Sequence, residues 1–107
     1  MQRYGMAVKI APENVAEYAR LHADVWPRVL EIIAECNIRN YSIYHKDDLL
    51  FSTFEYHGDD FDADMARMAA DPMTQKWWDL CMPLLDPLAT RAEGEFWANM
   101  DEVFHCD

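Results

Sequence analysis

Two adjacent tryptophans, Trp77 and Trp78, are the residues of this 107-residue chain best suited to hold a ring-shaped polar ligand. Indole presents a flat negative face to C–H groups and an N–H donor at its rim. A pyranose has the matching apolar faces and polar edges. Tyr18 and His22 are four residues apart, which makes them neighbours on one face of a helix. Histidine, with a reference pKa of about 6.5, moves protons near neutral pH. Tyr41 supplies a second phenol. One imidazole and two phenols suffice to move protons on a sugar hydroxyl and a ring oxygen. The same residues have a plainer use. Aromatic side chains usually fill cores, and a histidine on an apolar stripe usually finds a partner there. Trp77 and Trp78 stand about 100° apart around a helix. One can therefore cover a pocket while the other packs beneath it or forms its wall.

Other candidates are weaker. His45, His57, Asp59 and Asp60 match no metal-site spacing, so no metal is expected. A cysteine nucleophile would need Cys81 beside His22, and nothing in the spacing supports that contact. With only three glycines there is no phosphate-binding loop.

Bulk properties bound the partners. The formal net charge is -11, from 20 acids against 9 bases. Nucleic acid or an anionic membrane would repel such a chain, whereas a neutral small molecule would not. The chain is 51% hydrophobic and 13% aromatic, enough for one core in one domain spanning 1–107. Cys36, Cys81 and Cys106 are odd in number and form no C-x-x-C pair, which points to a reducing cytoplasm. No apolar run approaches the ~20 residues of a membrane span, and the N-terminus lacks a signal-peptide core.

The elements that must position these residues can be read from periodicity. Arg3 to Ile10 alternates, with Tyr4, Met6, Val8 and Ile10 on one face, as in a half-buried strand. Pro12-Glu13 opens a helical stretch that ends near Cys36, with a kink or break expected near Trp26-Pro27. Ile38 to His45 and Leu49 to Tyr56 read as strands joined by a polar turn at Lys46-Asp47-Asp48. Tyr41 and Ile43 share one face of the first of these. A helix follows from Phe61 to Ala70, and Asp71-Pro72 caps and restarts it. That second helix carries Trp77-Trp78 and fades near Met82-Pro83. Asp86 to Gly94 reads as a loop, and Phe96 to Phe104 as the last strand. The order β-α-β, β-α-β is the ferredoxin-like α+β pattern. Its helices cover one sheet face, and apolar residues on the other face predict a homodimer that closes into a dimeric α/β barrel.

The combination Tyr18-x-x-x-His22-x-x-x-Trp26-Pro27, Asn40-Tyr41-x-Ile43 and Trp77-Trp78 resembles the L-rhamnose mutarotase family. The element order and length resemble it too, so the resemblance spans nearly the whole chain. It implies a dimeric α/β barrel that works in the cytoplasm without a cofactor. It implies interconversion of the α and β anomers of a 6-deoxy-L-hexose. It also implies that His22 is the proton donor, and that Tyr18, Tyr41, Trp77 and Trp78 bind the sugar. One region departs from the family pattern. Where rhamnose-specific members carry an Asn-Pro-Asp-Asn-Ser-Pro type loop, this chain reads Asp86-Pro87-Leu88-Ala89-Thr90-Arg91-Ala92-Glu93-Gly94-Glu95. This looks more like an L-fucose branch, so L-rhamnose and L-fucose both stand as the expected sugar. Two rivals keep the fold: a cofactor-free monooxygenase of the dimeric barrel type, and a non-catalytic sugar-binding protein.

Overall fold

A computed structural model covers residues 1–107. The chain forms β1 (Gln2–Ile10), α1 (Val15–His22), α2 (Pro27–Glu35), β2 (Ile38–Lys46) and β3 (Leu49–Tyr56). It continues through α3 (Phe61–Ala70), α4 (Pro72–Cys81), β4 (Leu85–Asp86) and β5 (Ala98–Met100). Short 3₁₀ turns at Pro12–Asn14 and Met82–Leu84 enter α1 and leave α4.

Each helical half of the expected pattern is two helices, and the reason is local. Pro27 sits in the first turn of α2, and Trp26 before it is extended at φ -59, ψ 135. A residue preceding proline avoids the helical region. The chain therefore breaks between His22 and Pro27 instead of bending. Pro72 repeats the device between α3 and α4. Both later helices carry true N-caps. Asp60 accepts from the Ala63 N–H at 3.1 Å, and Asp71 accepts from the Thr74 N–H at 2.9 Å. Each cap satisfies a donor that the helix itself leaves free.

The sheet is antiparallel in the order β2-β3-β1-β4, with β5 also on β1. This is the ferredoxin-like arrangement the sequence predicts. The fourth strand position is shared. β4 pairs with Lys9 and Ile10, and β5 pairs with Gly5 to Ala7. Two expectations need correction here. The loop expected from Asp86 is preceded by a two-residue strand, Leu85–Asp86. The last strand is confined to Ala98–Met100 instead of running from Phe96 to Phe104. Beyond Met100 the chain leaves the edge, and Glu102 takes the Arg3 guanidinium through two bonds of 2.8 and 2.9 Å.

All four helices cover one sheet face. Val8, Ile10 and Leu50 pack there against Tyr18, Val29, Trp77 and Cys81. Ile38, Phe54 and Tyr56 form a second cluster, over which Phe61, Met65 and Met68 of α3 lie. The opposite face carries Gly5, Ala7, Phe51, Thr53 and Tyr44 in register, and no helix lies over it. Tyr44 is 62% exposed there and Met100 52%.

The β2–β3 pairing holds one irregularity that bears on the site. Ile38 opposes Tyr56, and Arg39 opposes Glu55, but Ser42 opposes Thr53. One extra residue is accommodated between Arg39 and Ser42. Asn40 takes it up in the left-handed region at φ 50. Strict alternation would put Ile38 and Ile43 on opposite faces. The bulge brings both to the helix side and turns Tyr41 with them.

Candidate functional site

The helix-covered face and the helices above it enclose a cleft with two lobes. One lobe, of about 420 Å³, runs beneath α2 and is bordered by Val25, Val29 and Ile33. The other, of about 340 Å³, lies over the sheet and is bordered by Met6, Phe54, Cys81 and Trp97. His22, Tyr41, Trp77 and Trp78 line both lobes, and Tyr18 lines the second. All five residues singled out from sequence therefore meet at one cleft, from three elements. α1 brings Tyr18 and His22, β2 brings Tyr41, and α4 brings the tryptophans.

Tyr18 and His22 stack with ring centroids 4.1 Å apart and planes at 25°. Their four-residue spacing on α1 makes this contact. The edge of Trp77 meets His22 at 5.2 Å and Trp26 at 5.3 Å. Trp77 is 6% exposed and belongs to the core, whereas Trp78 is only partly buried. The two tryptophans thus divide as their angular offset requires: one is wall and core together, the other a half-open wall.

His22 is held by its Nδ1 at 2.8 Å from the Tyr18 carbonyl oxygen. Burial pulls the imidazole pKa below its ordinary 6.5, and this carbonyl contact opposes the shift. Burial raises the Tyr18 phenol, with smaller contributions from Tyr41 and Cys81. Desolvation raises the Tyr41 phenol in the same direction, and Cys81 adds to it, although Tyr41 is 43% exposed and so less enclosed than Tyr18. Both phenols are protonated at neutral pH. The Cys81 thiol is pushed up to about 11 by burial, which leaves it a poor nucleophile. No carboxylate, lysine or arginine lines either lobe. The titratable groups that line the cleft are one imidazole, two phenols and the Cys81 thiol. His45 and His57 lie elsewhere, bonded to the Asp47 carbonyl and the Glu55 carboxylate.

The remaining tryptophans, Trp26 and Trp97, were not among the predicted ligand contacts. Trp26 braces Trp77, and Trp97 borders the second lobe. Three of the four tryptophans of the chain line the cleft, and the fourth, Trp26, packs behind Trp77 against the core. Trp26 gives a sequence signal through its place before Pro27. Trp97 gives none, since it reads as one more apolar residue of a strand.

A cleft walled by indoles and lined by an imidazole and two phenols fits an isomerase that acts on sugar anomers. Comparison with known proteins defines that class directly. The L-rhamnose mutarotase family profile matches residues 3–106. An L-rhamnose mutarotase of Sinorhizobium fredii is 31% identical, over 98% of this chain and 98% of its own. One of Phocaeicola vulgatus is 28% identical, over the full length of both. The chain belongs to the L-rhamnose mutarotase family. Two solved structures share its fold across 100% of the chain. The crystal structure of an L-rhamnose mutarotase from Formosa agariphila superposes with a TM-score of 0.78 at 19% identity, covering 100% of that chain. Tetracenomycin F2 cyclase of Streptomyces glaucescens, a type-II polyketide cyclase, superposes with a TM-score of 0.75 at 18% identity, covering 98% of that chain. No helix is long and apolar enough to cross a membrane.

Proposed function

We propose that the protein interconverts the α and β anomers of a 6-deoxy-L-hexose, with L-rhamnose as the first choice of sugar. The observation that carries this reading is the convergence of His22, Tyr18, Tyr41, Trp77 and Trp78 on one cleft, in a member of a mutarotase family. Ring opening needs a proton taken from the anomeric hydroxyl and one given to the ring oxygen. His22 and a phenol supply both operations without a covalent intermediate. The indoles hold the ring by its C–H faces. The apolar lining suits a sugar whose C6 is a methyl group. L-fucose is the competing sugar, because the Asp86–Glu95 region departs from the pattern of rhamnose-specific members.

The apolar lining also suits the rival substrate class, a large aromatic molecule. One experiment separates the readings. Anomer exchange of L-rhamnose and L-fucose is followed by saturation-difference NMR with and without the protein. Acceleration with either sugar supports the mutarotase. Binding without acceleration supports a sugar-binding protein. Neither effect with either sugar removes both.

The assembly we propose is a homodimer formed through the uncovered sheet face. Gly5, Ala7, Phe51 and Tyr44 make the middle of that face apolar, and Tyr44 stacks on Phe51 at 6.4 Å. Two such faces pressed together would close a barrel and remove the apolar surface from water. The three cysteines are free, which supports a reducing cytoplasm as the site of action.

A further inference from the structure

We propose that Asn40, which does not line the cleft, is the positioning residue that puts the Tyr41 phenol into it, by holding the left-handed turn of a bulge in β2. This deepens the mutarotase reading and rests on it for the use of Tyr41 as a sugar contact.

Tyr41 does not stand where its strand would put it by alternation. Successive strand residues point to opposite faces. Ile38 is buried on the helix side with Phe54 and Tyr56. Counted on from Ile38, Asn40 would point into the cleft and Tyr41 away from it. The pairing with β3 reverses the two. Arg39 opposes Glu55 and Ser42 opposes Thr53, so Asn40 and Tyr41 together face the single residue Phe54. The Tyr41 ring meets the Phe54 ring edge to face, with centroids 5.6 Å apart, and it lines both lobes. Asn40 is exposed and lines neither lobe. Its amide lies instead by Glu55, whose carboxyl is held below its ordinary range by His57 first and by Asn40 after it.

The backbone explains the exchange. Asn40 has φ 50, and it is the only residue at positive φ inside a strand. Asn37 stands before β2, Asp47 in the β2–β3 turn and Gly94 in the last loop. Most side chains crowd the backbone in the left-handed region. Glycine does not, and asparagine is one of the few other residues that visit it. A bulge whose first residue is left-handed is ordinarily built on glycine. Here asparagine fills that place.

The extra residue cannot be passed along the strand, because both flanks are pinned. Ile38 is buried in the cluster beneath α3, and Ile43 packs against the main core. The left-handed turn therefore falls on position 40. A β-branched side chain there would meet its steric penalty at the peptide unit that leads into Tyr41. With the flanks held, the chain still folds, and relief comes from the backbone at 40 and 41. The direction of the Tyr41 ring changes with it.

The test is anomer exchange of L-rhamnose and L-fucose by the wild-type protein and by Asn40→Gly, Asn40→Ala and Asn40→Val, each also combined with Tyr41→Phe. Asn40→Gly keeps the left-handed backbone and should exchange at close to the wild-type rate. Asn40→Ala and then Asn40→Val should lose exchange, up to the ~10²-fold that a misplaced contact can cost. On the Tyr41→Phe background the same substitutions should cost no more, because they act through the phenol. NMR contacts between the Tyr41 and Phe54 rings give a readout that does not depend on activity. They should persist in Asn40→Gly and weaken in Asn40→Ala and Asn40→Val. Asn40→Ala serves where Asn40→Val fails to fold. Three results would overturn the proposal: wild-type exchange in Asn40→Ala and Asn40→Val with only Tm lowered, a loss in Asn40→Gly as large as in Asn40→Val, or the full loss repeated on the Tyr41→Phe background. Should Tyr41→Phe alone cost nothing, the inference falls and the mutarotase reading stands. Should neither sugar exchange faster with the wild-type protein, both fall.

Discussion

At the scale of single residues, the proposed function assigns some cleft side chains to proton transfer and others to holding the sugar. His22→Ala should leave a folded protein, because the ring is partly buried and no other element depends on its single bond to the Tyr18 carbonyl. Anomer exchange measured by NMR should fall ~10²–10⁴-fold. The tryptophans should part company. Trp77 belongs to the main core, so Trp77→Ala should cost roughly 3–5 kcal/mol in denaturant unfolding. Trp78→Ala should cost less and should weaken sugar binding, read from the quenching of the remaining indoles. Equal destabilisation by both, with unchanged binding, would leave them as core alone. Ser52 lies beneath the site, fully buried, with its hydroxyl unpartnered. Such a group carries its desolvation cost with no bond in return. Ser52→Ala should therefore raise stability by about 1 kcal/mol in the same assay.

At the scale of elements, the geometry depends on how α4 is anchored. Asp71 caps it through the Thr74 N–H and hydroxyl, and Arg28 of α2 reaches the same carboxylate at 3.0 Å. The Thr74 N–H is the largest cause of the lowered Asp71 pKa, and the Thr74 hydroxyl and Arg28 add to it. The folded pKa lies below the unfolded value of about 3.8. Stability from this group is therefore present above that pH and lost as pH falls through the folded pKa. Asp71→Ala should lower Tm by about 4–8 °C at neutral pH, since a lost cap costs on that scale. The deficit should shrink in acid, where the wild-type carboxylate is protonated as well. A deficit of constant size down to the most acid condition would show that the carboxylate charge contributes nothing.

At the scale of the whole molecule, the uncovered sheet face is the unresolved account. Helices cover only the face that holds Val8, Leu50 and Phe54. On the other, the Phe51 ring lies where a side chain at Gly5 would point, 3.4 Å from the position of an added Cβ, and Tyr44 and Met100 remain exposed. The proposed homodimer would cover them. Light scattering should give twice the monomer mass at micromolar concentration. Phe51→Asp should lower dimerisation and Tm together, because a charge would be buried between the sheets. A well-folded monomer at high concentration would remove the barrel while leaving the chemistry of the cleft untouched.

What the chain settles by itself is whatever nearest neighbours in sequence decide. Pro27 and Pro72 end one helix and start the next because proline restricts the residue before it. Asp60 and Asp71 cap because their carboxylates reach N–H groups three residues on. Tyr18 and His22 meet because four residues make about one helical turn. Those rules gave the strand and helix order and half of the site. The rest depends on partners far along the chain. Tyr41 faces the cleft only because Asn40 takes up an extra residue, and the need for it arises from matching Ile38 to Tyr56 and Ser42 to Thr53 in a neighbouring strand. Phe96 to Phe104 reads as a strand from its apolar and aromatic residues, yet pairs only at Ala98–Met100, since composition does not say where a partner edge is available. Trp26 reaches Trp77, and Trp97 reaches the cleft, through packing among elements that no local pattern relates. Periodicity reports which face of an element is apolar, and only the closed tertiary structure decides which of those faces meet.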